Sequence, residues 1–256
     1  MKGEILMIKW IFFDVGNIIF NDDPAMAYIY ESLHKAIIAS GKNMSLASLL
    51  FEREQLIINN KDGKHHHTLG EKYLGKPYWK QLREDILLNL NNNYLEFNKL
   101  IFKIKDEIQI LSTKYKLGIA ANQVKACRSV LEELGILKYF DIVGISDEMK
   151  YQKPDLAFFN EILSKKEIRP QTAIMIGDRI DNDIVPAKTI GMRTIWVNWD
   201  IKNKGYVPQT DYQMQYFQSQ LRASSQGVRP ANESESPDIE LTSVENLSEK
   251  IFSYNW

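Results

Sequence analysis

Cysteine is nearly absent from this chain of 256 residues: Cys127 is the single one. That excludes an intrachain disulfide and a zinc site built on clustered cysteines, and Cys127 reads as a small apolar filler on a helix. An excess of one charge is also missing. Lys and Arg number 32 against 33 Asp and Glu, a formal net charge of −1, which gives no global attraction to nucleic acid or to an anionic membrane surface. No long hydrophobic run occurs. The apolar stretch Ile5 to Phe13 is broken by Lys9 and closed by Asp14, so neither a spanning helix nor a signal-peptide core is expected. The expected compartment is therefore the cytoplasm, with neither nucleic acid nor membrane as a partner. No internal repeat is found. What remains, 44% apolar and 25% charged residues, is an ordinary globular composition, long enough for one core and an added subdomain.

The organisation follows from periodicity. Lys9 to Phe13 reads as a buried strand. From Pro24 to about Asn93 the pattern is helical: Ala25 to Ala39, then Ser45 to Ile58 with Ser45 as its N-cap, then Lys72 to Leu90 after a loop rich in Gly, Lys and His. Strands and helices alternate afterwards. Helices are expected at Phe97 to Thr113, Val124 to Leu134, Asp155 to Ser164 and Asp183 to Ile190. Strands are expected at Lys116 to Ala121, Tyr139 to Ile145, Thr172 to Ile176 and Arg193 to Val197. Such alternation predicts a doubly wound α/β fold with a parallel sheet. Residues 1–20 and 95–256 are assigned to this core, and 21–94 to an inserted all-helical subdomain. Residues 204–237 read as a polar insertion in the core with one helix at Tyr212 to Arg222, before a last strand and helix in Asp238 to Phe252.

The chemistry gathers at strand ends. Asp14 follows the first strand, Ala121-Asn122 the second, Lys153-Pro154 lies beyond the third, and Gly177-Asp178 with Asp181 and Asp183 follows the fourth. Strand ends on one edge of a parallel sheet converge. Carboxylates that close need a cation, and hard oxygen ligands suit Mg²⁺. A lysine and helix N-termini suit phosphate. A nucleophilic Asp, a divalent clamp and a lysine counter-charge together make a phosphoryl-transfer site.

These four motifs, in this order, resemble those of the haloacid dehalogenase-like hydrolase superfamily, over Asp14 to Val197. The resemblance extends to the run Ile176-Gly177-Asp178-Arg179, with Asn182-Asp183-Ile184, Ala187-Lys188 and Gly191-Met192 beyond it, which is characteristic of the phosphatase-like branch. It implies a Rossmann-like core with a helical cap at 21–94 and a small phosphorylated metabolite as substrate. It implies Asp14 as nucleophile and Lys153 as the catalytic counter-charge. It further implies phosphate binding by Ala121, Asn122 and Lys153, and Mg²⁺ held by Asp14, the Gly16 carbonyl, Asp178 and Asp183.

Two positions depart from the family pattern. Gly16 stands where phosphatases of the family carry a second Asp as general acid and base, help worth about 10²–10⁴-fold in rate. Ala121 replaces a hydroxyl that donates to the transferred phosphate. Three readings follow: leaving groups that need little protonation, such as sugar 1-phosphates or acyl phosphates; a proton from elsewhere, with Asn17, a cap residue or water as candidates; or a silent metal- or phosphate-binding protein. A phosphonate hydrolase would need a cap lysine as Schiff base, but Lys35, Lys42, Lys61 and Lys64 read as solvated. His65-His66-His67 reads as a basic loop, Arg179 as a partner of Asp181 or Asp183, and Trp196 and Trp199 as packing at the sheet end. Asp181 and Asn182 cap the next helix or orient metal waters.

Overall fold

The computed structural model describes residues 7–60 and 63–256. Its chain divides into two compact units. The first comprises residues up to Phe20, Leu100–Asp200 and Arg229–Trp256; the second comprises Asn21–Lys99 and Ile201–Val228.

The first unit is the α/β core. Strands β1 (Trp10–Phe13), β4 (Lys116–Ala121), β5 (Ile142–Ile145), β6 (Ala173–Gly177), β7 (Arg193–Val197) and β8 (Ile239–Leu241) form one sheet in the order β5-β4-β1-β6-β7-β8. The remaining strands, β2 (Phe20–Asn21) and β3 (Lys99–Leu100), are two residues each and lie where the chain passes between the units. Every pairing in the large sheet is parallel. The chain winds outward from β1 to β4 and β5, then returns to the other side of β1 for β6, β7 and β8. Strand order thus reverses at β1, and open α/β sheets bind ligands at such a switch point.

Continuous burial explains why these strands form: Ile11, Phe12, Phe13, Ile174, Met175 and Ile176 are all essentially inaccessible, as expected of parallel strands covered on both faces. Helix Leu156–Ser164 lays Phe158, Phe159, Ile162 and Leu163 in one apolar cluster with Phe12, Ala173 and Met175. Asp155 caps that helix by accepting from Ala157 N at 2.8 Å. Helices Ile104–Ser112 and Leu247–Ser253 bury Ile104, Ile108, Leu111, Leu247 and Ile251.

The second unit is helical. Helices α1 (Asp23–Ala39), α2 (Leu46–Asn60), α3 (His65–Leu74), α4 (Lys76–Asn92) and the short α5 (Tyr94–Phe97) come from the first segment, and helix Asp211–Arg222 comes from the second. Tyr30, Leu33, Ile37, Leu49, Leu50, Leu69, Trp79, Ile86 and Tyr216 share one apolar core. Ser45 caps α2, accepting from Ser48 N at 3.0 Å.

Four expectations need correction. The boundary falls at Lys99/Leu100 rather than 94/95. The 204–237 segment is not an insertion within the core alone: residues up to Val228 group with the helical unit, because Tyr216, Ser219 and Gln220 are buried there. The loop ahead of Lys72 is already helical from His65, and Gly75, at φ 79°, divides α3 from α4. Finally, Phe97 to Thr113 is not one helix: α5 ends at Phe97, β3 follows, and the next helix starts at Ile104 after Lys103 in a left-handed conformation.

Candidate active site

Asp14 leaves β1 at the switch point. Phe13 is flanked by Ile119 on β4 and Ile176 on β6, and Asp14 N still donates to Ile176 O at 2.8 Å. The carboxylate then turns back on its own loop, accepting from Val15 N at 2.8 Å. The strand thereby delivers a buried acid at a fixed position.

Lys153 reaches the same point from the segment beyond β5. Its side chain is wholly buried, with Nζ at 2.8 Å from Asp14 Oδ1 and 2.5 Å from Asp183 Oδ1. Asn122, at the end of β4, holds the backbone of that lysine. Its Nδ2 donates to Lys153 O at 2.9 Å and its Oδ1 accepts from Lys153 N at 2.8 Å. The Asn122 side chain is therefore engaged with a peptide group, and any phosphate contact from this position falls to the backbone. Ala121 is buried as the last residue of β4.

Asp183 is placed by an unusual turn. The helix expected from Asp183 is preceded by a wide π-helical turn over Ile180–Ile184, in which Ile184 N donates to Arg179 O at 3.3 Å. Turns of this kind are frequent at functional sites. Asp183 Oδ2 accepts from Arg179 N at 3.1 Å. The turn is possible because Gly177 has no side chain: a Cβ there would lie 2.3 Å from Asp183 Cβ. Asp178, next to Gly177, accepts from Asn17 Nδ2 at 3.0 Å.

Three carboxylates, those of Asp14, Asp178 and Asp183, offer oxygens that all lie within 4.8 Å of one another. The Lys153 ammonium lies within ion-pair distance of two of them, Asp14 and Asp183. Burial alone would lower the Lys153 pKa, but the charges and hydrogen bonds of Asp14 and Asp183 hold it above the ordinary lysine value. Burial pushes the Asp183 carboxyl up to about 6; Lys153 opposes that rise and the neighbouring Asp14 adds to it. Lys153 offsets part of the charge of these buried acids, and the Arg179 guanidinium also acts on Asp178 and Asp183. A hard divalent cation suits the all-oxygen donor set.

The structure thus brings Asp14, Lys153, Asp178 and Asp183 together, with Gly16 on the same loop as Asp14. Arg179 pairs with Asp181, its Nε at 2.9 Å from Oδ1. His65–His67 lie at the start of α3 rather than in a loop; His65 is buried, its Nδ1 at 2.6 Å from Tyr30 OH. They are not part of any cluster of potential metal ligands among the described residues. Lys35, Lys42 and Lys64 are exposed, Lys35 is held above its ordinary pKa by Glu31, and Lys61 lies outside the described residues. A Schiff-base lysine needs the opposite shift. Trp196 and Trp199, read from sequence as packing, also donate: Trp196 Nε1 to Asp178 O at 2.9 Å and Trp199 Nε1 to Asn17 O at 2.6 Å. The sequence signal for Asn17 was the Gly16-Asn17 pair, a common turn former.

Known proteins give this geometry its context. Residues 11–197 match the family model described as haloacid dehalogenase-like hydrolase. A glyceraldehyde 3-phosphate phosphatase of Methanocaldococcus jannaschii is 30% identical over 198 residues, covering 74% of this chain and 84% of that protein. A protein of the same name from Methanopyrus kandleri is 23% identical over 96% of this chain and 97% of its own. Among solved structures, a predicted phosphoglycolate phosphatase from Haemophilus somnus superposes with a TM-score of 0.66, at 17% identity, over 98% of this chain and all of that one; at that identity it speaks for the fold alone. Matched over most of its length and carrying four acidic and basic side chains converged at one sheet edge, the chain belongs to the haloacid dehalogenase-like hydrolase family.

Proposed function

We propose that this hydrolase is a Mg²⁺-dependent phosphatase of a small phosphorylated sugar or related metabolite, working through an aspartyl-phosphate on Asp14. The observation that carries the reading is the buried Asp14–Lys153–Asp183 chain of ion pairs at the switch point. It leaves a carboxylate oxygen beside a fixed positive charge. The names of the phosphatase relatives support the phosphorylated-sugar class.

In this mechanism an Asp14 oxygen attacks phosphorus, the bond to the leaving oxygen breaks, and water then hydrolyses the acyl phosphate to restore the carboxylate. Lys153 offsets the charge of Asp14 and of the incoming phosphate. Asp183 keeps Lys153 in place. Backbone N–H groups at Ala121 and Asn122 bind phosphate oxygens. Asp14, Asp178 and the Gly16 carbonyl would hold Mg²⁺, with Asp183 close by; when bound, the ion polarises the phosphoryl group and offsets carboxylate charge. Asn17 is an amide already donating to Asp178, which leaves it no role as the missing acid. Leaving groups that need little protonation fit Gly16 directly, and an alkyl phosphate such as glyceraldehyde 3-phosphate takes its proton from water or a cap residue.

Phosphate release should be measured with Mg²⁺ on glyceraldehyde 3-phosphate, sugar 1-phosphates and acetyl phosphate. Turnover that chelation abolishes, and that Asp14→Asn lowers by at least about 10³-fold, is the expected result. Mg²⁺ binding without turnover on any of these substrates would instead support a silent binding protein.

A further inference from the structure

Asn17 lies three residues beyond Asp14 and is 5% exposed. Its φ of 56° is left-handed, a conformation that Asn adopts more readily than other non-glycine residues. Three of its polar groups are committed. Its N–H donates to Phe20 O at 2.6 Å, its carbonyl accepts from Trp199 Nε1 at 2.6 Å, and its Nδ2 donates to Asp178 Oδ2 at 3.0 Å. Asp178 is held at its other end, where its carbonyl accepts from Trp196 Nε1 at 2.9 Å. The two indoles come from β7 and the residues just after it. One carboxylate is thus tied to the Asp14 loop through Asn17, and Asn17 is tied to the end of β7 through Trp199.

We propose that Asn17 and Trp199 are positioning residues that act as one unit, orienting the Asp178 carboxylate for a divalent cation through the line Trp199 Nε1, Asn17, Asp178 Oδ2. This rests on the metal-dependent reading above. The physical reason is that a ligating carboxylate needs a partner on its remaining lone pairs to fix its orientation, and losing such a partner typically costs 10- to 100-fold in metal affinity. An amide suits this role, since its Nδ2 donates without adding a charge that would compete with the cation. The amide of this left-handed residue reaches Asp178 at the end of β6, and the Trp199 indole holds the Asn17 backbone carbonyl.

The test uses the full-length protein without substrate, with Mg²⁺ titrated by calorimetry and thermal unfolding followed in chelator. Asn17→Gly retains the left-handed backbone and both of its main-chain hydrogen bonds but deletes the amide. Its Mg²⁺ Kd is expected to rise about 10- to 100-fold while the unfolding temperature in chelator stays at the wild-type value. Trp199→Phe keeps the aromatic ring but loses the N–H. Its Kd is expected to rise as well, and the double variant to bind no more weakly than Asn17→Gly, because Trp199 acts through Asn17. Wild-type affinity in Asn17→Gly, or fully additive losses in the double variant, would overturn the inference and leave the metal site standing. If Trp199→Phe fails to fold, Asn17→Gly decides alone. A wild-type protein that binds no Mg²⁺ would overturn the metal reading and this inference with it.

Discussion

Gly16, two residues after Asp14, offers no side chain to protonate a leaving group, and the proposed mechanism makes a differential prediction there. Gly16→Asp should raise turnover of an alkyl phosphate such as glyceraldehyde 3-phosphate by about 10²-fold or more, with far less effect on acetyl phosphate, whose leaving group needs no proton. Steady-state kinetics on both substrates check this, and equal effects would contradict it. At Gly177 the missing side chain makes room for Asp183. Gly177→Ala should cost about 1–3 kcal/mol in denaturant unfolding, since the contact is with a buried side chain on a constrained turn; unchanged stability would contradict the packing argument. Asp14 and Asp178 were legible in the sequence as charges at the ends of apolar strands, whereas Lys153 and Asp183, farther beyond β5 and β6, were legible through the order of the motifs that carry the family resemblance. The orientation of the Asn122 side chain and the donor roles of the two indoles were not, since they depend on partners 18 or more residues away.

At the scale of elements, strands were read most accurately. A short apolar run bounded by turn residues has few alternatives, and Arg193 to Val197 falls where the sequence placed it. Helices were misread where one residue interrupts a continuing pattern, as Gly75 does between α3 and α4. Helix Asp211–Arg222 was legible as a helix but not as part of the helical unit, because polar groups dock it there. Arg53, wholly buried on α2, donates to Ser219 Oγ at 3.0 Å and to Ala223 O at 2.9 Å, and stacks over the Tyr216 ring. Asp23 of α1 meets Lys204 at 3.1 Å, both side chains almost inaccessible. Hydrophobic periodicity carries no record of such docking. Arg53→Ala removes charged donors and strands the Ser219 and Ala223 acceptors, so it should destabilise the protein by about 3 kcal/mol. Denaturant titration checks this, and a change within about 0.5 kcal/mol would contradict it.

For the whole molecule, two units are each assembled from segments distant in the chain. The sheet unit takes three stretches and the helical unit two. The doubly wound core follows from local pattern and general rules of handedness and strand order, which is why the sheet edge carrying the site was foreseeable. No helix among the described residues is long and apolar enough to cross a membrane. The central functional claim is that Asp14 is a nucleophile. It is tested most directly by acid-quenching the enzyme during Mg²⁺-dependent turnover of a phosphate-labelled substrate and mapping the label by peptide mass spectrometry. The mechanism predicts labelled phosphate on the Asp14 peptide, lost in Asp14→Asn together with turnover. Turnover that leaves Asp14 unlabelled, or that persists in Asp14→Asn, would contradict it.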